Sequence, residues 1–521
     1  MDVQIRYLDL ESHERIASLP ETLANLSNDQ VSSFPALRAH QKQPWHCFIV
    51  QLATLAMQSA GRASLPTEAE DWLELLRGLT PEYPGDEPWK LVVDDWSKPA
   101  LLQPPGMQVP LRKKEKKALT PDQIDILETG RNHDLKGSRI LDASLDDWLF
   151  ALVTLQTSGG SDGLGSYNVS RMNKGYGSRV FLGIRSQPLT PGRAFIRDLQ
   201  VLLENGVETE HQQDKSGLLW LEPWDGKSKL SFERLRPLYI EVCRRIRLSS
   251  DQNGELLAVL DSSKGTRIQA DALKGVTGDP WAPVLADRSA SWGISASGFG
   301  YRQMTKLLTP TLVDLPLLAQ PLPIDGTSGV VLHACGLTRG QGTTEGFHER
   351  IIDVPPKSVR RFNNPAGKDR IAEVATSRMH EAGDAKRITR HALMCLYQGG
   401  PEKTKLDDDP SARRAEAPLR SLDELINNSF FDETFWIQVG IDNPSGEQSE
   451  QFGREWRVRL RELSRLTLKI AAQSMPRSRM KQWQAMARSN ALLEGRMRRF
   501  VDPDRHENEN KALEGTIEAT L

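Results

Sequence analysis

Apolar and polar positions divide the 521-residue chain into three regimes. In the first, Trp45 to Ala60 (WHCFIVQLATLAMQSA) is apolar almost all round, the pattern of a helix buried on every side. Glu68 to Arg77, with Trp72, Leu75 and Leu76, predicts another helix. Leu145 to Leu155 predicts a second buried helix, with Ser144 as N-cap and Asp147 completing a weak capping box. Pro99 to Pro110 carries too much proline and glycine for a regular element. In the second regime, from Val180 to about Pro356, short apolar runs between turn residues predict strands, among them VFLGI, LLWLEPWDG, ELLAVLDSS and GVVLHACGL. After Arg361 the period becomes helical. Ile371, Val374, Ala375, Ala385, Ile388, Ala392 and Cys395 mark one helix, and Ser421 to Glu424 is a capping box opening a second. Trp456, Leu460, Leu463, Leu466 and Ile470 mark a third, and Met480, Trp483, Ala487, Leu493, Met497 and Phe500 a fourth. Pro401 to Pro418 reads as a flexible linker and Asp502 to Leu521 as a polar tail. The pattern therefore predicts an α+β protein, with a mixed α/β domain over residues 1–360 followed by a four-helix bundle over 361–521.

Composition narrows the class. The chain is 38% apolar and 26% charged, an ordinary globular balance that excludes overall disorder. The four cysteines (Cys47, Cys243, Cys335, Cys395) are far apart, which argues against a zinc ribbon or a disulfide framework and suits a reducing cytoplasm. The N-terminus lacks the apolar core of a signal peptide, and no apolar run is long enough to span a membrane, so the expectation is a soluble cytoplasmic protein.

A net charge of −2 hides an asymmetry. Gln451 to Phe500 holds 13 Lys/Arg, Arg496, Arg498 and Arg499 among them, opposed only by Glu455, Glu462 and Glu494. Such a segment is the electrostatic footprint of polyanion binding, since a merely solvated face mixes signs. Two smaller basic clusters, Arg112 to Lys117 and the set Arg171, Lys174, Arg179 and Arg185, read as solvated loops when taken alone.

Motifs for catalysis are weak. No phosphate-binding P-loop, G-x-S-x-G elbow or H-E-x-x-H is present. His133-Asp134 is the seed of a metal-dependent phosphohydrolase or nuclease site, the alternative function, but further ligands at a recognisable spacing are lacking. Two glycine-rich stretches remain. Thr157 to Arg179 has six glycines in 23 residues, and Gly336 to Gly346 (GLTRGQGTTEG) reads as a second loop. Glycine lets a backbone approach a ligand that a Cβ would obstruct, and a slim loop suits the DNA minor groove.

The order of these features resembles the CasA family, the large subunits of the type I-E CRISPR surveillance complex Cascade. The resemblance is carried by Leu37-Arg38 before the Trp-led helix, by PALLQ (Pro99 to Gln103) and by Asn132-His133-Asp134 after the basic loop. It continues through Gly163-Leu164-Gly165-Ser166-Tyr167, Asp279-Pro280-Trp281-Ala282-Pro283 and Arg339-Gly340-Gln341-Gly342. Its most specific part is Ser170-Arg171-Met172-Asn173-Lys174-Gly175-Tyr176-Gly177-Ser178-Arg179. The resemblance implies a non-enzymatic, cofactor-free and metal-free subunit whose partners are guide RNA, other Cascade subunits, double-stranded target DNA and a helicase-nuclease recruited in trans. It implies a loop at Gly163, Leu164, Gly165 and Ser166 that reads the short motif beside the target (the PAM), flanked by Arg171, Asn173 and Lys174. It further implies a minor-groove lysine at Lys274 and a wedge at Gly340 and Gln341 that starts strand separation. A loop docking on the guide-RNA 5′ handle side would include Lys113, Lys114, Asn132, His133 and Lys136. Ser166 and Tyr167 stand where glycines can stand in the family, and Lys174 replaces a usual glycine, which points to a different PAM.

Overall fold

The computed structural model describes the chain apart from residues 2, 108–115, 128–139, 141, 164, 174–178, 206–214, 327, 341–342, 363, 444, 476–477 and 503–521. It forms two compact units. The first comprises Met1–Phe299 and Pro310–Pro356, the second Gly300–Thr309 and Lys357–Leu521.

The first unit is organised around helices that are buried because their sequences are apolar on every face. Helix α1 (Ala39–Ser59) buries Trp45 and every residue from Cys47 to Met57. Helix α2 (Leu145–Ser158) packs its Phe150 ring edge-on against Trp45, with centroids 5.0 Å apart. Its start follows the expected capping box, the Ser144 N–H donating to Asp147 at 3.0 Å. Helix α3 (Pro191–Glu204) packs against α1. A three-stranded antiparallel sheet runs in the order Thr343–Val354, Val330–Gly340, Val180–Ser186.

Two expectations change in this unit. Gly336 to Gly346 is largely a hairpin rather than a loop: ladder pairs continue from Leu337↔Phe347 to Gly340↔Thr343 through a register shift between Thr338 and Arg339. Glycine is tolerated in a strand where a bulge changes the register. In LLWLEPWDG only Leu218 is strand. Leu219 and Trp220 are buried from a turn and Trp224 from irregular chain, and the Trp220 indole N–H donates to the Pro88 carbonyl at 3.1 Å. A buried turn and a buried strand carry the same apolar signature.

The second unit is helical, with four long helices: α4 (Pro365–Tyr397), α5 (Asp409–Ser429), α6 (Glu447–Gln473) and α7 (Arg479–Val501). Helix α5 overturns the expected linker and the cap at Ser421. Asp408 is the N-cap, accepting from the Ser411 N–H at 3.1 Å, and the helix continues through Pro418. Its buried stripe of Ser411, Ala415, Leu422 and Ile426 begins before the proline, so packing outweighs the helix-breaking cost of about 3 kcal/mol. Arg378 is buried in this core. It donates to the Phe430 carbonyl (3.0 Å), Asp432 (3.1 Å) and Thr434 (2.8 Å), and lies over the rings of Trp456 and Phe435.

Candidate nucleic-acid interface

The first glycine loop is a tight turn. Gly163 and Ser166 form a bridge, the Ser166 N–H donating to the Gly163 carbonyl at 3.2 Å and the Asp162 N–H to the Ser166 carbonyl at 3.0 Å. Both glycines need their freedom, with φ of +109° at Gly163 and +86° at Gly165. Their surroundings differ. A Cβ at Gly165 would stand 2.5 Å from the Ser262 Cβ, while a Cβ at the exposed Gly163 would meet open space. Gly165 therefore seats the loop on residues 262–263, where its carbonyl accepts from the Ser263 N–H at 3.1 Å. Gly163 is the position that faces outward.

The Ser170 to Arg179 segment is placed differently from its expected role. Arg171 and Arg179 are 1% and 3% exposed, so neither lies on a solvated loop nor on a ligand-facing surface. Arg171 donates to the Tyr239 carbonyl at 2.9 Å and covers the Tyr239 ring at 4.1 Å. Arg179 donates to Asp279 at 2.8 Å and to the Thr157 carbonyl at 2.9 Å. Asp279, from the DPWAP motif, lies between the two guanidinium groups. Burial alone would raise its pKa, but Arg179 and Arg171 hold it below the ordinary carboxylate range. Ser170 completes the cluster by donating its N–H and hydroxyl to the buried Glu241. The resemblance gave Arg171 to DNA; here it is a buried structural cation beneath the surface. The error has a simple cause, since a lone arginine in a glycine-rich stretch reads the same whether its carboxylate partner is distant in sequence or absent.

The same platform brings two other assigned residues together. Asn173 donates to the Ser291 carbonyl at 3.2 Å, and the Ser291 N–H donates to the Lys274 carbonyl at 3.0 Å. Lys274 is exposed and adopts a left-handed conformation (φ +46°), rare for a side chain-bearing residue. The following Gly275 has φ +82° and packs so closely that a Cβ would lie 2.9–3.0 Å from the Arg171–Met172 backbone. A strained, exposed lysine is thus held over the buried arginine cluster.

The hairpin supplies a further junction. Its Thr344 hydroxyl donates to the Ile126 carbonyl at 2.7 Å, joining the hairpin to the chain that leads into Asn132, His133 and Lys136. Gly340 pairs with Thr343 in the ladder, and Gln341 lies between them, outside the described residues. Lys113, Lys114, Asn132, His133, Lys136, Leu164 and Lys174 also lie outside them, as does Asp134 of the alternative metal site. Among the described residues no group of three or more His, Cys, Asp and Glu is arranged to hold a metal. The four cysteines are buried, and burial raises the thiols of Cys47 and Cys243 to about 12 and 11.

In the second unit the basic segment is partly neutralised by carboxylates outside it or on another helix. Arg454 pairs with Asp502, Arg457 with Glu381 and Glu450, and both Arg461 and Arg465 with Glu494. Arg496, Arg498 and Arg499 are exposed and make no ion pair among the described residues. Three of the cations left without an ion pair among the described residues therefore stand together at the end of α7.

An α+β unit with this sheet and a helical second unit is an architecture found among CRISPR-associated proteins. The chain is similar in structure to Cse1 from Acidimicrobium ferrooxidans, a CRISPR-associated protein, with a TM-score of 0.67 at 14% identity over 96% of this chain and 97% of that one. It is similar also to Thermobifida fusca Cse1 (TM-score 0.66, 12% identity, 96% and 97% covered) and to Thermus thermophilus CasA (Cse1) (0.62, 12%, 95% and 97%). No family model and no curated protein sequence matches the chain, so the likeness is one of fold. No helix among the described residues is long and apolar enough to cross a membrane.

Proposed function

We propose that this chain is the CasA-type large subunit of a type I-E Cascade complex, recognising the PAM in double-stranded DNA and starting strand separation for R-loop formation. The observation that carries the reading is the fold likeness to Cse1 proteins over 96% of this chain, in a chain whose Ser170 to Arg179 segment independently resembles that family. Gly163 and Lys274 support it, as two exposed positions with positive φ, the first in a turn seated on residues 262–263 and the second followed by Gly275, which packs on the Arg171–Met172 backbone. In this reading the guide RNA reads the long target sequence and the protein reads a short motif and the backbone. The chain itself is non-enzymatic and cytoplasmic, and cleavage falls to a helicase-nuclease recruited in trans. Gln341, between Gly340 and Thr343 in the sequence, is the wedge. The exposed arginines of α7 hold DNA phosphates.

The test is reconstitution with a guide RNA and the remaining subunits, followed by gel shifts on PAM-containing and PAM-lacking duplexes. The reading expects assembly and PAM-dependent binding. Gln341→Ala should leave initial binding within about 1 kcal/mol, the usual net worth of a neutral hydrogen bond. It should delay permanganate reactivity of thymines next to the PAM, and a pre-melted bubble should restore the rate. Failure to assemble, or metal-dependent nuclease activity of the purified chain, would overturn the reading.

A further inference from the structure

Between the C-terminal half of α4 and the end of α7 lies an open cleft of about 730 Å³. Its cationic wall is Arg390 from α4 with Arg496 and Arg499 from α7. All three are exposed, and none makes a side-chain hydrogen bond or ion pair among the described residues. The carboxylate lining the cleft, Asp384, is engaged by Arg387 one turn along α4. The lining also includes apolar side chains, Ile388 and Phe500 on the same two helices and Leu406, the last 60% exposed. His391 also lines the cleft, and its Nδ1 is buried without a hydrogen-bond partner.

Unpaired guanidinium groups beside an apolar shelf and an unsatisfied imidazole nitrogen call for a ligand that is both anionic and flat-faced. Duplex DNA meets only half of this, because it presents phosphates outward and keeps its base faces stacked inside. An unpaired nucleotide meets all of it, since every base has a face that packs on apolar side chains while the backbone tracks positive charge. We propose that the cleft seats an unpaired nucleotide of a single-stranded nucleic acid, its phosphates on Arg390, Arg496 and Arg499 and its base on Ile388, Leu406 and Phe500. The inference rests on the nucleic-acid reading above and adds to it, because it gives the second unit a preference for the strand released by duplex opening over the duplex itself.

The test uses the full chain and fluorescence anisotropy with labelled oligothymidylate and a labelled duplex of equal length, across a salt series. The double variant Arg390→Gln/Arg499→Gln should weaken oligothymidylate binding about tenfold or more at low salt. It should lower the log–log salt slope by roughly 0.7 for each single-strand phosphate that is no longer neutralised. Leu406→Ser, at an exposed site that folding does not need, should weaken oligothymidylate binding about threefold or more and leave duplex binding unchanged. Circular dichroism melts verify that each variant is folded. Equal losses on single strand and duplex for Leu406→Ser would overturn the proposal, as would an unchanged salt slope in the arginine double variant. Displacement of oligothymidylate by polyglutamate as efficiently as by unlabelled oligothymidylate would reassign the cleft to an acidic protein segment. PAM-dependent binding by the reconstituted complex is read separately. If it persists while the cleft variants bind oligothymidylate normally, only the cleft assignment falls; if it is absent in the unmutated complex, the underlying reading falls.

Discussion

Two sets of arginines in this molecule look alike in sequence and stand in opposite surroundings. Arg171 and Arg179 sit in a glycine-rich stretch and are buried around Asp279. Arg496, Arg498 and Arg499 sit in a helix and stand in solvent without a counter-charge among the described residues. A buried guanidinium loses its hydration and must be compensated by a carboxylate, ring faces and carbonyls. An exposed one keeps its hydration and remains available to a polyanion. The difference separates buried scaffold from exposed charge, and the number of positive charges in a segment does not reveal it. What reveals it is where the acidic partner lies: Asp279 is a hundred residues from Arg179, whereas the exposed trio has none among the described residues.

The comparison can be broken most forcefully at Asp279. Asp279→Asn leaves two buried cations without their anion, and about 3–5 kcal/mol of stability should be lost. Thermal or urea unfolding measures this, and a loss under about 1 kcal/mol would show that the cluster is not a scaffold. The next effect is on acid. Burial, reinforced by Arg185, lowers the His46 pKa from 6.5 to about 4, while its partner Asp198 is held down by the hydrogen bond from His46. The native state therefore binds fewer protons than the unfolded chain between these pKa values. Stability should fall as pH drops from about 6.5 toward 4, and His46→Gln should flatten that part of the profile. A pH-independent melting temperature across this window would contradict the placement of His46.

A smaller effect separates the two loop glycines. Gly165→Ala combines a disfavoured φ with a clash on Ser262 and should cost about 1–3 kcal/mol, whereas Gly163→Ala meets only the backbone strain, about 1 kcal/mol. Equal costs would remove the distinction between a seated and an outward-facing glycine. The smallest effect on stability belongs to the exposed arginines. Replacing Arg496, Arg498 and Arg499 with Gln should change unfolding by less than about 0.5 kcal/mol. It should nevertheless weaken DNA binding for all sequences and reduce the salt slope by about one for each duplex phosphate that is no longer neutralised.

Much of the fold was legible because periodicity and caps are local properties. The all-round apolar runs became α1 and α2, Ser144 and Asp147 capped α2, and the three marked apolar stripes in the last third all lie on long helices. The misreadings share one cause, which is tertiary contact overriding local signal. Pro401 to Pro418 looked like a linker because the packing that carries α5 through Pro418 comes from other helices. Gly336 to Gly346 looked like a loop because glycine composition does not show a ladder partner. The sequence could mark the glycine loop and Lys274, but not that Gly165 is committed to Ser262 while Gly163 faces open space. Nor could it show that Glu381, Glu450 and Asp502 neutralise arginines of the basic segment. The cleft of α4 and α7 escaped it altogether, since Arg390 and Leu406 lie about a hundred residues before Arg499.

In the proposed reading Gly163, outward-facing in a turn seated on residues 262–263, stands at the surface that reads the PAM, while the buried Arg171–Asp279–Arg179 cluster is scaffold. The most direct measurement is the ratio of affinities for PAM-containing and PAM-lacking duplexes, taken on the reconstituted complex with the unmutated chain and with Gly163→Asp. An aspartate there adds an anion against the groove without an internal clash, so the account predicts normal assembly and a ratio that falls toward one. An unchanged ratio in a fully assembled Gly163→Asp complex would contradict it.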